Sequence, residues 1–190
     1  MVNPTPTTSL VNGVNLEGFI DMVDAMRANP ELAKFTFRAN TEWITGSHSR
    51  TRIQGFCVAG SEDESRTRTF LLEGDEPPML LGNDRGPDPI ETVLAALGSS
   101  LVAGCIHKAA AEGIKVEGLE ISLEAEIDFR GFFCISDRVR PGCQCIRLSY
   151  RIQSAAPRQK LEALFEHVQR TSPVLDLIRN PVPVTIVLQD

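Results

Sequence analysis

The sequence predicts an α+β fold, and three observations carry that prediction. Strand-like segments come in runs, not in strict alternation with helices, giving the order αβββ–α–ββ–αα–β. Val116–Phe129 and Cys145–Gln153 alternate apolar and polar residues with the period of a half-buried strand. Between the two runs lies Gly86–Ile114, GPDPIETVLAALGSSLVAGCIHKAAAEGI, a helix around which the rest of the chain is organised.

That central helix carries its own start signal. Asp88 caps the first free N–H groups, Pro89 suits the first helical position, and Glu91, three residues after Asp88, completes a capping box. From Val93 to Ile106 fourteen residues carry no charge. A helix so apolar on all faces is expected to be buried on every side. Its small residues Ala95, Ala96, Gly98, Ser99, Ser100, Ala103 and Gly104 admit close neighbours, and Gly113 is a stop signal. The uncharged run is shorter than the roughly 20 residues a bilayer span needs, so the expectation is a core helix and no membrane partner.

The flanking elements follow from patterning. Residues 1–14, rich in Pro, Thr and Asn, read as a loose arm. Leu16–Asn29 is a helix with Leu16, Phe19, Ile20, Val23 and Met26 on one face, ended by Pro30. This arm and helix (1–30) are set apart from a domain covering 31–190. Lys34–Thr45, Arg52–Ala59 and Thr67–Glu73 read as strands of an antiparallel meander, joined by a turn at Gly46–Ser49 and a charged loop at Ser61–Ser65. Gly74–Pro89, with four prolines and three glycines, is a linker or ordered loop. In Val116–Phe129, Leu119, Ile121, Leu123, Ala125, Ile127 and Phe129 share the buried face and acidic residues the other. Arg130–Gly142 is a loop. Pro157–Arg170 is an amphipathic helix with Leu161, Leu164, Phe165 and Val168 inward. Ser172-Pro173 opens a short helix that Asn180-Pro181 closes, and Val182–Leu188 is a last strand.

Composition narrows the function classes. With 42% apolar and 23% charged residues the chain reads as a soluble protein. A net charge of −6 and no Lys/Arg run remove the nucleic-acid footprint; the pairs Arg50/Arg52 and Arg138/Arg140 are too small to restore it. The first residues have neither a basic start nor an apolar h-region, so a cytoplasmic location is expected. Five cysteines, an odd count without a secretory signal, argue against a disulfide framework and leave any pairing of Cys134, Cys143 and Cys145 open. Cys143-x-Cys145 with Cys134 falls short of four zinc ligands, and neither metal nor cofactor is expected.

Several side chains carry two readings each. Cys105, about 140° round the helix from Ser100, is a small buried hydrophobe or a redox thiol. Glu91 closes the capping box and can still accept from an Arg. Arg50 is a strand-end charge or a functional cation, and His48 a turn residue or a ligand contact. Ser172 is explained by helix capping alone. Ser100 lacks a G-x-S-x-G elbow, which disfavours serine nucleophile chemistry.

Pro89-x-Glu91-x-x-Leu94-Ala95-Ala96-Leu97-Gly98-Ser99-Ser100 resembles the helix motif of the OsmC/Ohr family, known for thiol-dependent reduction of organic hydroperoxides. Ser172-Pro173-Val174 resembles that family's second motif, and the likeness runs from about Phe35 to Leu188 in the right order. The resemblance implies two strongly curved antiparallel sheets around two central helices, in an intertwined homodimer whose second chain covers faces of the central helix that one chain leaves open. It also implies a cysteine that attacks the peroxide, a second that resolves the sulfenic acid, an Arg that lowers the thiol pKa and a Glu that positions the Arg. Carried over by position, Ser100 stands at the attacking cysteine and Ser172 at the resolving one. Glu91 matches the Glu, and Arg50, with Arg52 as the alternative, the Arg. Cys105 joins the catalytic candidates, and Ser172 with His48 the substrate-binding ones.

A serine hydroxyl has no oxidation ladder, so here the chain departs from the pattern. The protein lacks peroxidase activity, or serine has replaced a cysteine in this sequence, or another thiol acts. Two functions follow: a relative of hydroperoxide reductases working on small hydroperoxides, or a non-catalytic binder of a small apolar or oxidised molecule.

Overall fold

The capping box at the start of the central helix forms as its spacing requires. Ile90 N–H donates to Asp88 Oδ1 at 2.6 Å and Asp88 N–H donates to Glu91 Oε2 at 2.9 Å. The computed structural model of the chain describes residues 10–189, so most of the predicted arm lies outside the described residues. In chain order the elements are β1 (Leu10–Val11), β2 (Val14–Asn15), α1 (Leu16–Ala28), a 3-10 turn (Pro30–Ala33), β3 (Phe35–Phe37), β4 (Asn40–Thr45) and β5 (His48–Ile53). Then come β6 (Phe56–Val58), β7 (Ser61–Asp63), β8 (Phe70–Gly74), a 3-10 turn (Pro78–Leu80), α2 (Pro89–Ala111) and β9 (Gly118–Glu126). The chain ends with α3 (Phe129–Phe132), β10 (Cys145–Gln153), α4 (Arg158–Thr171) and α5 (Pro173–Arg179). The ladders β3–β6, β6–β7, β4–β5, β5–β8 and β9–β10 are antiparallel, which makes the class α+β as expected. The chain divides into two compact units, Asn15–Val93 and Leu10–Val14 with the residues from Leu94 on.

The second unit holds the core. Leu97, Leu101, Cys105 and Ala109, four residues apart along α2, are each 0% exposed. They pack with Ile114, with Leu164 and Val168 of α4 and with Leu175 of α5; Leu119, Ile121 and Leu123 of β9 and Ile146, Leu148 and Ile152 of β10 close the cluster. Close approach depends on the small residues. A Cβ on Gly98 would stand 3.1 Å from Leu123 and one on Gly104 3.4 Å from Val168. β9 and β10 pair from Cys145 opposite Glu126 to Gln153 opposite Gly118. Their outer face carries the pairs Arg151–Glu120 and Arg147 with Glu124 and Glu126. The β1–β2 hairpin turns at Asn12-Gly13, both at positive φ. The Asn12 amide pins it by donating to Ile114 O at 2.8 Å and accepting from Val116 N–H at 2.9 Å.

Four expectations are corrected here. α2 is not buried on every side: Val102 is 36% exposed, because neighbours within one chain reach only one stripe of the helix. At 23 residues α2 is long and apolar enough to cross a bilayer, yet its fully buried stripe is what the core of this unit is built on. Val182–Leu188 forms no strand, since no β-ladder among the described residues includes it; Ile186 and Leu188 are 91% and 95% exposed. Phe129 leaves β9 and opens α3, which begins the predicted loop.

The first unit contains α1 and the meander. Asn15 caps α1 by accepting from Gly18 N–H at 3.0 Å. No residue of α1 is buried, and Ile20 of the predicted inner face is 49% exposed. The meander's long strands are each broken. Lys34–Thr45 splits into β3 and β4, and the second strand begins at His48, earlier than predicted, and splits into β5 and β6 around Gly55, a residue that weakens a strand interior. The charged loop at Ser61–Ser65 contains β7. The result is two sheets, β3-β6-β7 and β4-β5-β8. Among the described residues of this unit no apolar side chain is buried; the buried ones are His48 and Asp75.

Candidate functional site

In the second unit, α4 ends where α5 begins, and Ser172 sits at that joint. Its Oγ accepts from Leu175 N–H at 3.3 Å, the N-cap that Ser-Pro predicts. The same hydroxyl lies 2.9 Å from Ser100 Oγ, which α2 presents eleven residues after Pro89. Ser172 is buried and Ser100 half-buried. The two serines that the sequence resemblance pairs with the family's cysteines are therefore in direct contact, 72 residues apart in the chain. Each hydroxyl can donate or accept, and neither can be oxidised as a thiol can.

Cys105 lies elsewhere on α2, within the core stripe. It is 0% exposed, and burial pushes its thiol up to about 11. A thiol held neutral and shielded in this way is a poor nucleophile. The other cysteines are free as well, and no group of three His, Cys, Asp or Glu side chains among the described residues could hold a metal ion.

In the first unit, strand register assembles a charged cluster. β5 pairs with β8 so that Arg50 faces Glu73. Arg50 Nε donates to Glu73 Oε1 at 2.7 Å, and the second carboxylate oxygen bonds His48 Nε2 at 2.7 Å. These contacts, the Arg50 bond first, hold the Glu73 carboxyl below its ordinary range. The His48 ring is 6% exposed and its Nδ1 is buried without a partner. The carboxylate bonded to Arg50 is thus Glu73, whereas Glu91 accepts from Asp88 N–H. Arg52 instead donates to Glu42 at 2.8 Å. Glu73 carried no motif in the sequence; only the β5–β8 register brings it to Arg50.

Next to this cluster, Asp75 ties the loop after β8. It is 1% exposed, accepts from Ser47 Oγ at 2.6 Å and from the N–H groups of Glu76, Asn83 and Arg85. The Ser47 bond foremost, with the three backbone donors, lowers its carboxyl to about 2 against the opposing effect of burial. On the other face of β5, where Ser49, Thr51 and Ile53 point, lies an open cleft of about 380 Å³. Thr41, Leu72, Glu73, Gly74, Pro89 and Thr92 complete its wall, and Thr41 and Thr51 share a hydroxyl hydrogen bond of 2.8 Å. Hydroxyls beside Ile53, Leu72 and Pro89, with Glu73 at the wall, offer a small molecule both apolar contact and hydrogen-bonding groups.

No curated protein matches the chain. Solved structures do. An OsmC-like protein from Mycoplasma pneumoniae superposes with a TM-score of 0.59 at 14% identity, over 77% of this chain and 89% of that one. An OsmC-like protein of unknown function from Vibrio cholerae gives 0.56 at 11% identity, over 74% and 91%. The organic hydroperoxide resistance protein OsmC from Legionella pneumophila gives 0.53 at 16% identity, over 76% and 89%. Identities this low establish a shared fold. The family described as OsmC-like protein matches residues 82–187, which takes in the capped central helix, the β9–β10 pair and both serines. More than half of the sequence lies in that match, and the chain belongs to the OsmC-like family.

Proposed function

We propose that this protein is an OsmC-like relative of the thiol-dependent hydroperoxide reductases that binds a small apolar or oxidised molecule, organic hydroperoxides included, without reducing it. The observation that carries this reading is the 2.9 Å contact between Ser100 and Ser172. The two cysteine positions of the family meet, so the site geometry persists while its redox chemistry is gone. Cys105 offers no substitute, being fully buried with its thiol pushed up to about 11. The cleft at Thr41, Thr51 and Leu72 supplies space for the ligand.

The working unit is a homodimer. Its support is the family resemblance together with large apolar side chains that one chain leaves open, Trp43 at 75% and Leu71 at 57% exposure in the first unit and Leu188 at 95% in the second.

A steady-state assay with an organic hydroperoxide and a dithiol tests the reading. Wild type gives no turnover. Without the dithiol, the S100C/S172C variant consumes one hydroperoxide per chain and converts its two thiols to a disulfide, releasing the alcohol and water; with the dithiol, which re-reduces that disulfide, it turns over. Turnover by wild type would overturn the non-reducing reading, and an inert double variant would remove the family chemistry from this pair.

A further inference from the structure

We propose that the α3 turn between β9 and β10 is an anchor that docks on the surface of an anionic phospholipid bilayer. The turn puts three large apolar side chains into solvent within four residues: Phe132, Phe133 and Ile135 are 58%, 54% and 70% exposed. A single exposed apolar residue needs no explanation, whereas a contiguous group marks a contact. Residues 129–140 also hold three arginines and one aspartate, on a chain whose net charge is −6.

Specific contacts fix the shape of this turn. Asp128 caps α3 by accepting from Arg130 N–H at 3.1 Å, and its carboxylate also takes the Arg130 guanidinium. Phe132 packs edge-on against Phe129 and Phe133, at centroid distances of 6.2 and 5.0 Å. Ile135 N–H returns to Arg130 O at 2.8 Å, with Cys134 at positive φ making the reversal. Gly131 lets the chain run back alongside, for a Cβ there would stand 2.6 Å from Val139 O and 2.5 Å from Arg140 O. The aromatic cluster and the Arg138-Val139-Arg140 run are thereby held side by side.

Charge selects the occupant. Arg130 is matched by Asp128, but among the described residues neither Arg138 nor Arg140, both exposed, forms an ion pair. A second copy meeting this turn about a two-fold axis would set these arginines against the same arginines. The acidic outer face of β9–β10 on such a copy is already matched by Arg147 and Arg151. Lipid phosphates answer unpaired guanidiniums, and the boundary between headgroups and acyl chains takes up phenyl and aliphatic side chains. The expectation of no membrane partner concerned a span; this contact is with the surface alone.

Sedimentation of the full chain with vesicles tests this, using phosphatidylcholine alone or mixed with phosphatidylglycerol. The chain is expected to bind the mixed vesicles about tenfold or more tightly than the neutral ones, and to lose that preference as salt rises from about 0.05 to 0.5 M. R138Q/R140Q weakens binding to the mixed vesicles by about 10–30-fold at low salt. F132S/F133S weakens it at every salt concentration, because the apolar part of the contact is not screened. A reading on wild type needs no variant: alkylation of the exposed Cys134 thiol, followed by peptide mass spectrometry, slows several-fold on the mixed vesicles. No sedimentation with mixed vesicles, equal binding to both lipids, or Cys134 alkylation that the vesicles leave unchanged overturns the proposal. So does an F132S/F133S protein that falls from dimer to monomer without lipid, which would give this surface to a second copy.

Discussion

The two units of the chain are held together by different physics. The unit from Leu94 on has a packed core, in which the α2 stripe, α4, α5 and one face of β9–β10 exclude water. The unit from Asn15 to Val93 buries a histidine and an aspartate and no apolar side chain. Its order comes from strand ladders, the Asp75 clamp and the Arg50–Glu73–His48 cluster. Hydrogen bonds and exposed ion pairs contribute little net stability each, whereas a buried leucine contributes several times more. The first unit leaves large apolar side chains such as Trp43 and Leu71 exposed, and covering them is the role the proposed second copy would have.

The largest expected effect tests the half with a core. Leu101→Ala removes a fully buried side chain and leaves a cavity, at a cost of about 2–5 kcal/mol. The Tm falls by about 5–15 °C in a thermal melt. Leu71→Asp, at a 57% exposed position of the other unit, leaves the melt of dilute protein within about 1 °C. It weakens self-association instead, about tenfold or more by sedimentation equilibrium. A large Tm loss from Leu71→Asp in dilute monomer would erase the contrast.

The Asp75 clamp comes next. Asp75→Asn keeps the size but turns one acceptor oxygen into a donor facing groups that already donate, so the Tm at neutral pH drops by several degrees. Wild-type stability declines as pH falls from about 4 toward 2, the region in which Asp75 takes up its proton. In D75N that acid limb is shallower, as read by melts across the same range.

What could be read from the sequence follows the same division. The second unit was legible because each of its signals is local: the uncharged helical run from Leu94 on, the alternation of β9 and β10, and the cap at Ser172 all form as patterned. The OsmC-like likeness rests on this half as well. The first unit was not, because its determinants are registers and partners. Nothing in Lys34–Thr45 announces a break at Arg38-Ala39, and no spacing links Glu73 to Arg50, 23 residues away. The pairing of Glu91 with an Arg was legible only as one of two readings, and its carboxylate is observed at Asp88 N–H. Val182–Leu188 has the composition of a strand, but a strand needs a neighbour, and none of the described residues pairs with it.

A smaller effect separates the two serines. Ser172→Ala removes the α5 cap and the partner of Ser100 together, and is expected to cost about 1 kcal/mol. Ser100→Ala removes only the shared hydrogen bond and leaves the Leu175 contact, so its cost is lower, and the two together are less than additive. Equal losses for both would mean that the Ser100–Ser172 contact, and not the cap, carries the joint between α4 and α5.

The smallest effect is the most informative about the charged cluster. Glu73→Gln keeps one acceptor for Arg50 or His48 but removes the charge that holds both. Side chains about one-third exposed are well screened, so the Tm is expected to move by no more than about 1 °C. The change should appear in local observables instead. By NMR, the Arg50 Nε–H exchanges faster with solvent and the His48 ring nitrogens shift, because the bond that fixes Nε2 as one end of the pair is weakened. If the NMR signals stay in place, the cluster is held by strand register alone. If the Tm falls as far as for Leu101→Ala, the first unit has a polar core that matters as much as the apolar one, and the contrast between the two halves would have to be redrawn.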